Sequence, residues 1–293
     1  MGKLRNYNAY ISISCSGPEN SSIAVSRVGK IRSRSGADLR FTTADADCLY
    51  NHFRSRNYDT RPDDMHIRLV NPSVREFLDA IVMVSNALDS FKTQDDWAGG
   101  CIHIIYAGHG RDGDGALVFK NGIVLGANLV EHIATHTSCF EHRRRIDIVL
   151  DSCHSAAFQA EVVAKAINDC NDSIFPCSLF AACLHDELAW EYPRHGHGIW
   201  TASFLQQIRS PSLAQPRWIL RLKVLWRRYR KLEQQELYGG GVSFMTDNQQ
   251  HSMTYENGMF EVDGYGNFEL PDTPTVKTSE IFSLLNKARS RRA

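Results

Sequence analysis

The chain has 293 residues, long enough for one large α/β domain or two small ones. Lysine plus arginine total 33 and aspartate plus glutamate 33, so the net charge is zero and lacks the basic excess of a nucleic-acid binder. None of the eight cysteines forms a Cys-x-x-Cys pair and no apolar run nears membrane-spanning length, which argues against a disulfide scaffold or membrane protein and for a reducing, cytosolic setting.

The opening Met1-Gly-Lys-Leu-Arg-Asn6 has no apolar signal region behind it, and Asn6 stands where a myristoylation site wants Ser or Thr. Short apolar runs then alternate with helical patterns, the mark of a mostly parallel sheet flanked by helices. Strands are expected at Tyr10–Ser14, His66–Val70, Ile102–Tyr106, Ile146–Leu150 and Leu179–Cys183. Helices are expected at Asp45–Arg54, Ser73–Phe91, Gly126–His136 and Ala156–Asp169. Ser26–Arg40, rich in Arg, Ser and Gly, reads as an exposed loop. In Ala116–Leu125, two apolar triplets flank Lys120-Asn121-Gly122, and Asn-Gly is a tight-turn signal, so a β-hairpin is expected there.

After Ile208 the pattern changes. Trp218, Leu222, Leu225, Tyr229 and Leu232 recur at helical spacing, with Arg221, Arg227, Arg228 and Lys231 elsewhere, which gives an amphipathic helix with a solvated basic face. Gly239–Gly241 breaks it, β-like sequence follows to Leu270, and Pro271 and Pro274 lead to a short C-terminal helix. We read residues 1–293 as a single domain, with a large part at 1–171 and a smaller part plus extension at 172–293.

Two segments carry chemistry. In Ile102-His-Ile-Ile-Tyr-Ala-Gly-His-Gly110 an apolar strand ends in His109, held between two glycines that permit a sharp turn and close approach of a substrate backbone. A histidine at the carboxyl end of a parallel strand stands where open α/β sheets place their sites. In Ile146-Asp-Ile-Val-Leu-Asp-Ser-Cys-His-Ser155 a second buried strand delivers Cys153 to the start of a helix, whose N-terminus favours a thiolate. Adjacent parallel strands would bring both loops to one sheet edge. Other chemistries fit less well. A cysteine phosphatase needs Arg where Gln159 stands, and no Gly-x-Ser-x-Gly elbow surrounds Ser152. His132, His136, Cys139 and His142 lie along one helix stripe that cannot easily close a zinc tetrahedron, so no metal or other cofactor is expected.

His109-Gly110 and Asp151-Ser-Cys-His-Ser155 resemble the paired motifs of the caspase, metacaspase and paracaspase superfamily, whose caspases place the histidine about 50 residues upstream of the cysteine. Asp-Ser-Cys-His-Ser is similar to the metacaspase and prokaryotic branch, since animal caspases carry Gln-Ala-Cys. The likeness includes Asp45-Ala46, Ala181-Ala-Cys-Leu-His-Asp-Glu-Leu-Ala-Trp-Glu191 and Gly196-His-Gly-Ile-Trp-Thr201, and covers roughly the first 210 residues. Ala156 replaces the usual Gly after Cys-His-Ser, and of an acidic calcium-binding insert only Asp112 and Asp114 remain. The resemblance implies a caspase-like α/β fold and a cysteine endopeptidase acting on protein or peptide substrates, with a further protein or protease as an activator. It implies that Cys153 attacks, that His109 moves the proton, and that N–H groups of Gly110 and Cys153 cradle the oxyanion.

The resemblance also implies a specificity pocket. Asp151 lies two residues before the nucleophile and so shares its face of the strand; the matching metacaspase aspartate lines the pocket, together with one at the position of Asp45. Asp186 and Glu191 add negative potential nearby. Cleavage after Arg or Lys is therefore expected, although Arg34-Ser-Gly resembles the segment from which animal caspases bind aspartate. A catalytically silent scaffold of the same fold is the alternative.

Overall fold

The computed structural model describes residues 5–17, 32–33, 39–56, 65–90, 97–136, 144–169, 174–192, 196–198, 200–202, 253–256, 259–262, 266–269 and 277–283. Its centre is an eight-stranded sheet built on five parallel strands: β1 (Arg5–Ser14), β3 (Met65–Val70), β4 (Trp97–Ala107), β7 (Arg144–Asp151) and β8 (Ile174–Ala181). They lie in the order β3-β1-β4-β7-β8. Antiparallel β11 (Met253–Glu256), β12 (Met259–Val262) and β13 (Gly266–Glu269) extend the β8 side.

Side-chain alternation sorts the sheet into two faces. Ala9, Ile11 and Ile13 of β1, Ile102, Ile104 and Tyr106 of β4, and Ile146, Ile148 and Leu150 of β7 share one apolar cluster. That cluster also takes in α2 (Val74–Ser90), α3 (Gly126–His136) and α4 (Ser155–Asp169) through Phe77, Leu129 and Phe158. The opposite positions, Tyr10, Ile105 and Val149, pack with Leu49, Tyr50 and Phe53 of α1 (Thr42–Arg56). Strands buried on both faces read as near-continuous apolar runs, which is why these were legible in the sequence.

Three other features position the site. The hairpin β5 (Leu117–Phe119) and β6 (Gly122–Val124) follows His109 as expected, but turns at Lys120-Asn121, one residue before the expected Asn-Gly, whose glycine already pairs with Phe119. A small sheet joins β2 (Arg32–Ser33), β9 (Trp190–Tyr192) and β10 (His197–Gly198). The helix at residues 278–283 adds Ile281 to the larger core.

The differences from expectation have local causes. Within the expected loop at Ser26–Arg40, Arg32–Ser33 pairs with Trp190 and Glu191; two residues are too few to show any period. The last parallel strand runs Ile174–Ala181 instead of Leu179–Cys183. Pro176 disguises its beginning, since proline donates nothing to a ladder and the β7–β8 register skips Cys177 just after it. Its end is cut short because the Cys183 N–H turns to donate to Ser155 Oγ (3.2 Å). The expected helix at Trp218–Leu232 lies outside the described residues.

Candidate active site

The parallel strands β4 and β7 place the two chemical loops side by side. Ala107 is in register with Asp151, and the Gly108 N–H donates to the Asp151 carbonyl (3.2 Å). Beyond β4 the chain makes a bridge from Gly110 to Leu117, while Tyr106 Oη donates to the carbonyls of His109 (2.9 Å) and Val118 (2.8 Å). The His109 loop is thus pinned by its own strand and by the hairpin behind it. Gly110 packs so closely on the cysteine loop that an added Cβ would lie 1.8 Å from the Cys153 carbonyl oxygen. No other residue type fits, and the closeness brings the His109 and Cys153 loops together.

Cys153 lies between β7 and α4 and is buried, at 0% exposure. Its Sγ accepts the Ala189 N–H at 3.3 Å and lies 3.8 Å from the Ala189 carbonyl. His154, next in the chain, has φ +55°, a left-handed conformation that costs a non-glycine residue about 1–2 kcal/mol. The neighbouring turn holds it there: the His154 N–H donates to the Glu187 carbonyl and Nδ1 to the His185 carbonyl, both at 2.9 Å. The carbonyl of Cys183 accepts the Ala156 N–H (3.1 Å) and Ser155 Oγ–H (3.3 Å). The segment from Cys183 to Ala189 therefore wraps the start of α4 and covers the thiol.

Cys183 sits behind this elbow, its Sγ 3.2 Å from the Ser152 carbonyl. Burial pushes its thiol well above the ordinary range, with Cys153 and Glu187 adding to the effect. Cys15, at the end of β1, is also pushed up by burial, to about 12. Among the described residues Cys15, Cys48, Cys101, Cys153 and Cys183 are free thiols.

The acidic candidates fall into different settings. Asp151 is fully buried and accepts the Thr201 hydroxyl at 2.6 Å. Asp45, in the first turn of α1, is also fully buried and accepts the Gly198 N–H (3.0 and 3.1 Å) and His197 Nδ1–H (2.8 Å). Both carboxylates thus grip the short segment from His197 to Thr201. Glu191, 2% exposed, accepts the backbone N–H groups of Arg40 and Phe41 (both 3.3 Å) and so holds the entry to α1. Asp186 is exposed on the turn before Glu187.

Ala189, His197 and Thr201 were not expected to take part; all three stand in segments already similar to the family, so that likeness was the available signal. Of the acidic remnants, Asp114 pairs with Arg111, while the exposed Asp112 lies 3.6 Å from His154 Nε2. His132 and His136 lie with ring centres 4.6 Å apart and their planes tilted by 59°, and His132 Nε2 donates to the Leu78 carbonyl (3.1 Å); Cys139 and His142 lie outside the described residues. Among the described residues the group able to hold a metal is Cys101, His103 and Asp147, further down the same strands.

Among the described residues no helix is long and apolar enough to cross a membrane. Comparison with curated proteins gives no match. Among solved structures the chain is similar to the crystal structure of caspase-1 from Spodoptera frugiperda, at 12% identity, 87% coverage of both chains and a TM-score of 0.43. It is also similar to a structure described as pro-sf-caspase-1, at 14% identity, covering 52% of this chain and 46% of that one, with a TM-score of 0.32. The caspase domain family matches residues 30–255, most of the length and both chemical loops. The chain belongs to the caspase domain family of cysteine peptidases.

Proposed function

We propose that the chain is a cysteine endopeptidase that cleaves protein substrates after arginine or lysine, with Cys153 as nucleophile and His109 as its proton carrier. The observation that carries this reading is the packing of Gly110 directly on the Cys153 backbone, at the shared carboxyl edge of β4 and β7. The Cys153 thiolate attacks the scissile carbonyl, and His109, having taken the thiol proton, delivers it to the leaving amine. Water then hydrolyses the thioester. Gly110 and Cys153 N–H groups stabilise the oxyanion. The Asp-Ser-Cys-His-Ser motif supports the metacaspase branch, and the free thiols support a reducing, cytosolic setting. Residues 1–171 form the catalytic part and 172–293 complete the sheet.

The specificity rests on Asp45 and Asp151. Two carboxylates at one edge, both withdrawn from water, attract a guanidinium or ammonium far more strongly than exposed ones. Asp186 adds negative potential from the rim; Glu191 acts through the α1 entry that it holds. The test compares fluorogenic peptides differing only at the residue before the scissile bond. Arg and Lys peptides should be cleaved, and Asp151→Asn should erase that preference. A preference for aspartate, or an Arg/Lys preference that survives in Asp151→Asn, overturns the assignment.

One observation favours a second reading, a silent scaffold: the complete burial of Cys153 under Ala189. An electrophilic peptide ketone separates the two, because a scaffold leaves Cys153 unlabelled.

A further inference from the structure

A second group of reactive side chains lies upstream on the strands that deliver His109 and Cys153. Cys101 and His103 of β4 are two residues apart and project from the sheet face that packs on α1. Asp147 of β7 is the register partner of His103 and projects from the same face. The Cys101 thiol, a His103 ring nitrogen and an Asp147 carboxylate oxygen all lie within 4.8 Å of one another. Cys101 is 3% exposed and His103 5%, whereas the Asp147 side chain is 17% exposed and forms the open side of the group.

The imidazole is held in one orientation. It stacks on Tyr10 with ring centres 4.5 Å apart, its Nε2 is 3.1 Å from Asn8 Oδ1, and its Nδ1 is 3.0 Å from Asp147 Oδ2. A divalent cation placed among the three would take the thiol, the ring nitrogen and the carboxylate as ligands at once. A metal-bound imidazole typically donates its other N–H to an oxygen acceptor, as His103 does to Asn8.

We propose that Cys101, His103 and Asp147 form a zinc site with water as the fourth ligand. One thiolate, one imidazole and one carboxylate is a donor set that suits Zn²⁺, and calcium or magnesium would reject the sulfur. Two anionic ligands neutralise the ion, as a nearly buried site requires. The partly exposed Asp147 gives the ion its route in. His103 and Asp147 each stand the same number of residues before the catalytic member of their own strand, so a bound ion ties β4 to β7 at one level below both loops. Its role is to fix the spacing of the strands. The chemistry stays with Cys153 and His109.

The experiment uses the full chain carrying Cys153→Ala and His109→Ala, which removes the other cysteine–histidine pair as a metal trap. After chelator treatment it is titrated with Co²⁺, a spectroscopic stand-in for zinc. A single equivalent should bind with a thiolate-to-cobalt charge-transfer absorption and tetrahedral visible bands, both bleached by zinc. Cys101→Ser should abolish the charge-transfer absorption, and Asn8→Ala should weaken affinity about 10–100-fold. No thiolate absorption, or absorption that persists in Cys101→Ser, overturns the proposal and leaves His103 and Asp147 in contact without a metal. If Cys101→Ser does not fold, Asp147→Asn decides: zinc should raise the Tm of the parent and not of this variant. An equal rise in both, or none in the parent, also overturns it.

Discussion

Removing the Cys153 sulfur and keeping the backbone isolates chemistry from fold. Cys153→Ala should abolish peptide cleavage with an unchanged circular dichroism spectrum, and His109→Ala should lower kcat about 10²–10⁴-fold, the range of proton-transfer catalysis. Gly110→Ala is expected to be nearly as damaging, because its Cβ would meet the Cys153 carbonyl at 1.8 Å and push the two loops apart. A kinetic comparison of the three variants checks this; normal turnover in Gly110→Ala would show that the loops need not touch. Two other thiols, Cys15 and Cys183, should be inert. With Cys15 pushed to about 12 and Cys183 well above the ordinary range, neither is appreciably ionised near neutral pH. Alkylation of the native chain followed by peptide mapping should find both unmodified.

At the level of elements, α2 offers a test of pH dependence. Ser73 and Glu76 form a reciprocal cap: the Glu76 N–H donates to Ser73 Oγ (3.2 Å), and Glu76 Oε2 accepts the Ser73 N–H (2.7 Å) and hydroxyl (2.8 Å). Hydrogen bonds from the Ser73 backbone, then its side chain, hold the Glu76 carboxyl below its usual pKa. A depressed carboxyl pKa adds stability above the unfolded-state value and loses it as pH falls through the folded one. Glu76→Ala should therefore lower the Tm at neutral pH, and the gap from wild type should close in acid. The helical pattern of Ser73–Phe91 stood openly in the sequence. So did β4, β7 and the Asn-Gly hairpin, because each signal is contiguous. The links of Asp45 to His197 and of Asp151 to Thr201 join residues far apart in the chain, and no local pattern announces such pairs. The Cys101–His103–Asp147 group was hidden for the same reason. Cys101 stands just before the expected strand Ile102–Tyr106, His103 interrupts its apolar run, and Asp147 comes from the neighbouring strand.

For the molecule as a whole, the arrangement bears on activation. Lys165 is the sole basic residue between Cys153 and β8, and it lies within α4, where a protease would have to unwind the helix to reach it. Activity should therefore appear without a cut after Lys165; mass spectrometry of the active species showing that cut to be required would refute this. The cover over the Cys153 thiol offers a second test at this scale. Because Cys153 is buried against Ala189, a reagent reacts only in the fraction of time that this segment stands away from α4. Inactivation by a small electrophile should thus rise with concentration and then level off, at a plateau shared by chemically different reagents. That plateau is the opening rate of the segment, a clock written into the protein and independent of the inhibitor used to read it.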